Sequence, residues 1–335
     1  MPSEAIGNTG DFFERLVALI YYTFGRHTIY IYYWSFLASE VVCLFIYKCA
    51  LLISGDRLIA TKSALLFYCW PMEIIYSVAY LREMTIQMVF AASLYEFLKY
   101  LTQGKRSSFA LALACSAVCA GMHSGMVSVL VSYLVVYSLY EYRSKKLKFS
   151  ISKCVLFVVI MAVVMISPLW KVMTTRFAEF DSAASVMSYT GSVSGSTDYI
   201  GAANSSLELI IQLPIRLFYF VLAPLPWHVR SGGTLIAFFL DGIFRIWMVG
   251  RICANYRTLK HAYGFKYNLF MAGIIIYLIT MFVFSWGTNN YGTAMRHRLK
   301  IFPLEILLAY TIVRIPVQED GINFHNRGEI DEYKK

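Results

Sequence analysis

The chain has 335 residues, 58% of them hydrophobic and 15% charged, and a net charge of +10. Soluble domains carry about 25% charged residues, so the balance excludes an ordinary water-soluble enzyme. Apolar stretches of about 18 residues recur along the chain and mark a helical membrane protein, since the alternation of a transmembrane barrel is absent. The basic excess belongs with cytoplasmic loops and anionic headgroups, and no nucleic-acid partner is expected.

In chain order, residues 1–10 carry no secretory signal pattern, and "DFFERLVALIYYTFG" from Asp11 reads as an interfacial helix. The expected membrane segments are 29–53, 58–80, 84–101, 108–122, 123–141, 152–174, 232–250, 264–286 and 301–315. A further run, 207–227, contains Pro214, Arg216, Pro224 and Pro226 and is expected to be interfacial or re-entrant, with Trp227 at headgroup level. The fold class is therefore all-α: a polytopic integral membrane protein of about nine or ten segments with outward loops and interfacial helices. Residues 1–315 form one membrane domain with outer loops 1–28, 175–231 and 287–300, and residues 316–335 form a polar cytoplasmic tail. The seven cysteines are scattered without a CxxC pair, so neither disulfide, metal site nor cofactor is expected.

Orientation follows from the basic loops. Arg143, Lys145, Lys146 and Lys148 fall in one loop, and Arg251, Arg257, Lys260 and Lys266 in another; both are placed in the cytoplasm. The remaining unusual polar residues then collect outside: Asp11 and Glu14, Arg82 and Glu83, His123, and the run "MRHRLK" with Arg296, His297, Arg298 and Lys300. Basic side chains on the translocated side break the positive-inside bias. Snorkelling at helix ends accounts for them, and so does an anion site. Arginine forks suit phosphate oxygens, and an outward carboxylate suits a general base. Asp11 is the candidate base, with an N-cap as its structural alternative. Arg82 would hold phosphate with Glu83 orienting it, and His123 between Gly121 and Gly125 would meet sugar or phosphate. Within the spans, Asp241 and Arg245 are expected to neutralise each other at i, i+4, and Glu305 to pair with a base of the preceding loop. The Ser/Gly-rich segment 175–206 reads as an outer cover.

Four pieces carry a resemblance: "GDFFERLVALIYYTFG", "CWPMEIIYSVAYLREMTIQMVFAASLYEFL", "RLFYFVLAPLPW" and "NNYGTAMRHRLKIFPLEILL". Together the pattern resembles the GT-C-type membrane glycosyltransferases, which use polyprenyl-phosphate-linked sugars at the outer membrane face. The resemblance implies that Asp11 is the catalytic base and that Arg82, Arg296 and Arg298 bind the lipid phosphate; beside it, Glu83 is a second catalytic candidate, and His123 and His297 are candidate contacts to phosphate or sugar. It implies a polyprenyl-phosphate-linked donor, a glycan or lipid acceptor, membrane lipids as surroundings, and a bacterial cytoplasmic membrane with the active face outside. The family begins with a transmembrane helix before its acidic residue, and this chain is expected to lack that helix. The likeness extends to Wzy-type O-antigen and capsule polymerases. A transporter or flippase of lipid-linked glycans is the alternative of another class.

Overall fold

The computed structural model describes residues 11–79, 81–142, 144–147, 155, 198–200, 206–261 and 264–315. Nearly all of the expected span 152–174 and of the cover segment 175–206, together with the tail 316–335, lies outside the described residues, as does the side chain of Asp11.

The chain is helical, with a single two-stranded hairpin among the described residues (β1, Tyr140–Glu141; β2, Lys146–Leu147). The helices are α1 (Asp11–Phe24), α2 (Ile29–Ser54), α3 (Arg57–Tyr68), α4 (Pro71–Ser77), α5 (Glu83–Gln103), α6 (Arg106–Met122) and α7 (Val127–Leu139). They continue with α8 (Ser206–Leu222), α9 (Gly232–Ala237), α10 (Ile243–Leu259), α11 (Phe265–Trp286), α12 (Tyr291–Leu299) and α13 (Phe302–Ile306). Two of them, α2 and α11, are long and apolar enough to cross a membrane. The α3–α4 pair makes a third if taken as one span. It is bent by 65° at Cys69–Trp70, so the expected span 58–80 is broken; Pro71 at the start of α4 is the cause, because proline disfavours helical backbone in the residue before it.

Local chemistry fixes the helix ends. Gly55 and Gly104 close α2 and α5 in the left-handed conformation that glycine alone takes without strain. Asp56 then starts α3 by accepting from Leu58 N–H (2.7 Å) and Ile59 N–H (3.2 Å). Small residues let the helices approach: Ser93 of α5 donates to the Ala112 carbonyl of α6 at 2.8 Å, and Ala91 and Cys119 are buried nearby in the same core. Phe97 and Tyr133 stack with centroids 4.0 Å apart, tying α5 to α7.

Two π-helical turns shape the C-terminal half. Phe238–Gly242 joins α9 to α10, and Leu307–Thr311 follows α13. A π turn disturbs the regular ladder of backbone hydrogen bonds. At the second turn the buried Asn255 of α10 donates to both Leu308 O and Ala309 O at 2.8 Å, and Ser63 of α3 meets Thr311 at 2.8 Å. The segment 207–227, expected to be interfacial or re-entrant, forms α8 through Pro214; one face exposes Ile210, Ile211, Ile215 and Phe218, while Arg216 and Phe220 are buried. Trp227 is exposed just beyond it.

Candidate functional site

The start of α5, the end of α6, the end of α11 and the whole of α12 meet at one end of the bundle. The start of α2 lies there too, since Trp34 donates to Thr85 at 2.9 Å and Ser35 to the Ala79 carbonyl at 3.0 Å. Helix α1, which opens with Asp11, packs on α2 and α6.

Helix α12 orders the basic run. Asn290 caps it by accepting from Thr293 N–H at 2.7 Å, and Lys300 follows its nine residues as the C-cap. Before the cap, Tyr199 N–H donates to the Asn289 carbonyl (3.0 Å) and the Tyr199 hydroxyl to the Thr288 carbonyl (2.9 Å). The end of the segment preceding α8 is thereby pinned beside the basic helix.

Around α12 the polar groups form two tiers. In the outer tier, Glu83 is the centre. Its Oε1 accepts from Arg296 Nε (3.2 Å) and Nη2 (2.8 Å), and Lys300 Nζ approaches the same oxygen at 3.9 Å. Glu83 is buried at the positive end of α5, where a carboxylate is favoured, while the Arg296 side chain remains 41% exposed. Arg82, next to Glu83, reaches the Met122 carbonyl at 3.5 Å. His123 ends α6 and accepts from Gly125 N–H through Nδ1 at 3.2 Å, so it caps the next turn and its other nitrogen carries any donor proton. Its ring lies edge-on to His297, with centroids 4.9 Å apart, and both histidines flank Phe284.

Burial, and then the positive neighbours Lys300, His123, Arg296 and Arg82, hold the His297 imidazole well below its usual range, so it is neutral at pH 7. Lys300 is fully buried. Desolvation pushes its amine down to about 7, with Glu83 opposing and Arg82 and Arg296 adding to the shift. Its Nζ lies 5.6 Å from the centroid of the Phe284 ring.

The inner tier is a set of buried ion pairs. Arg298 donates to Asp241 and, through Nη1, to the Phe220 carbonyl at 2.7 Å. Arg245 donates to Glu305 at 2.5 Å. Gln87 Nε2 donates to Glu73 Oε1 and to the Leu299 carbonyl, each at 2.7 Å. Two expectations are corrected here. Asp241 and Arg245 do not pair with each other but cross to α12 and α13, and Glu305 pairs with Arg245 rather than with a base of the preceding loop. The order is acid then base from the π turn into α10, and base then acid from α12 to α13, so crossing satisfies all four.

Of the residues singled out from sequence, Arg82, Glu83, His123, Arg296 and His297 come together. Arg298 is directed away from them, its guanidinium engaged with Asp241. Lys300, placed by the sequence in the outward basic run but given no site role of its own, enters the cluster. The signal was available: Arg296 and Lys300 are separated by four positions and share a helix face, as do Glu83 and Gln87. No group of three or more His, Cys, Asp or Glu side chains suited to a metal ion occurs among the described residues. Neither a known family profile, a curated protein nor a solved structure matches this chain.

Proposed function

We propose that the chain is a membrane glycosyltransferase that transfers a sugar from a polyprenyl-phosphate donor to a glycan or lipid acceptor at the outer face of a bacterial cytoplasmic membrane. One observation carries the reading: Arg82, Arg296, Lys300, His123 and His297 gather around the single carboxylate of Glu83. Such a site has more positive than negative charge, is partly dehydrated, and favours a phosphate anion. In this reading the chain crosses the membrane about nine or ten times, and the cluster faces outward. Helices too polar to pass as isolated spans, α5 and α10 among them, are accommodated in part by pairing: Glu83 of α5 with Arg296, Glu96 with Lys99, and Arg245 of α10 with Glu305.

The roles divide by geometry. Arg296 is half-exposed and holds Glu83 with its fork, so a phosphate reaching the site competes for that fork. Glu83 positions Arg296 and balances the empty-handed charge of the cluster; Asp11 remains the proton acceptor for the attacking hydroxyl, as the family resemblance implies. A lipid-diphosphate polymerase would draw on the same cations. Clustering of the outer tier at one end of the bundle favours interfacial chemistry over alternating access, which places binding groups near mid-membrane.

The test is sugar transfer from undecaprenyl-phosphate-linked sugars in membranes carrying the protein, with Arg296→Lys and Asp11→Asn variants. Arg296→Lys keeps the charge and loses the fork; Asp11→Asn keeps helix capping and loses proton acceptance. Both are expected to lower turnover, Asp11→Asn by roughly 10²–10⁴, at unchanged protein level. Wild-type turnover in both variants would overturn the reading.

A further inference from the structure

We infer that Lys300 is a titrating phosphate anchor, which takes up a proton as a phosphate ester binds so that ligand charge and lysine charge enter the site together. This rests on the phosphate-binding reading above and adds to it a coupled proton.

Geometry sets the argument. Lys300 Nζ is buried and has no hydrogen-bond partner among the described residues. Its nearest carboxylate oxygen, Glu83 Oε1 at 3.9 Å, already accepts two N–H groups from Arg296. The groups facing this corner are Glu83 and Arg82 at the start of α5, Arg296 and His297 on α12, His123 at the end of α6, Tyr76 on α4, and the apolar Phe284 ring on α11. Among the described residues, Glu83 is the carboxylate that the amine faces. It is matched by Arg296, and the buried amine is left to share that counter-charge at 3.9 Å. The amine responds by releasing its proton, with its transition pushed down to about 7. A phosphate dianion in the cluster supplies the missing negative charge and donates no competing one.

The sign follows directly. The ligand binds the protonated lysine, so affinity is full below about pH 7 and falls as pH rises through the free-protein transition, by up to about tenfold per pH unit. A phosphate monoester such as farnesyl phosphate has its second ionisation near pH 6, so from pH 7.5 upward that ligand itself contributes little to the proton balance. The imidazole of His297, held well below its usual range, stays neutral over the same interval.

The experiment is titration calorimetry of the full chain in neutral detergent at pH 8, in two buffers of different ionisation enthalpy, with farnesyl phosphate and with inorganic phosphate as probes. The expected result is uptake approaching about one proton per bound ligand, and a Kd that rises roughly ten- to a hundredfold between pH 7 and pH 9. Lys300→Arg, permanently charged, is expected to bind with no uptake and a flat pH profile. Lys300→Met is expected to bind weakly, again without uptake. Uptake with farnesyl phosphate alone supports a lipid-borne phosphate at the anchor, and uptake with both probes supports the anchor for any phosphate. Binding without proton uptake, or uptake that persists in Lys300→Met, overturns the inference and leaves the phosphate site standing. No binding of either probe at pH 7 overturns both.

Discussion

Arg296 and Arg298 are two positions apart on α12, and on a helix that offset turns side chains about 200° away from each other. The consequence is a division of labour between like residues. Arg296 sits half-exposed on Glu83, whereas Arg298 is buried on Asp241. Removing one partner of a buried pair strands the other, at a cost of about 3–5 kcal/mol, while replacing both by apolar groups is often neutral. Arg298→Met is therefore expected to lower the Tm of the detergent-solubilised protein steeply, and Arg298→Met combined with Asp241→Leu to recover most of the loss. A double variant as unstable as the sum of the singles would show that the pair carries no coupling. Residue type and position in this run were legible in the sequence, because "MRHRLK" is conspicuous between apolar segments. The partners were not, since Asp241 lies 57 positions away and nothing in a single sequence marks which distant helix will pack there.

At the scale of elements, Gly125 links α6 to α7 in the closest possible way. A Cβ at this position would lie 2.4 Å from Phe284 Cε1, so any side chain must push that ring aside. Phe284 in turn touches His123 and His297 and lies under Lys300. Gly125→Ala is accordingly expected to weaken farnesyl phosphate binding by at least about tenfold, with a stability loss of roughly 1–3 kcal/mol; binding at wild-type strength would show that Phe284 does not set the site. Five of the thirteen described helices, α2, α5, α6, α7 and α11, were legible from apolar length alone within a few residues. The bend at Cys69–Trp70 was signalled by Pro71 and passed over because the apolar run continues through it. The π turns were not legible: the one after α13 is supported by Asn255 and Ser63 from other helices, a tertiary cause with no local signature.

For the whole molecule, the proposed topology places the basic helix α12 outside and the loops at Lys146 and Lys260 in the cytoplasm. A reporter active only outside the cytoplasm is expected to be active when fused after Thr190 or Tyr291 and silent after Lys146 or Lys260. Silence at Tyr291 would put the anion cluster on the cytoplasmic side and remove the reason to connect it with outward glycan chemistry. The crossed ion pairs of the inner tier bear on how such a molecule is made. Asp241 and Arg245 leave the ribosome 57 and 60 residues ahead of Arg298 and Glu305, the partners that neutralise them. Until those partners arrive, each charge opposes partitioning of α10 into lipid by about 3 kcal/mol. On the proposed topology, α10 is poorly suited to entering the bilayer alone, and its settled position depends on α12 and α13. A nascent chain halted before Arg298 would then hold, at Asp241 and Arg245, two charges still without the partners that the finished protein gives them.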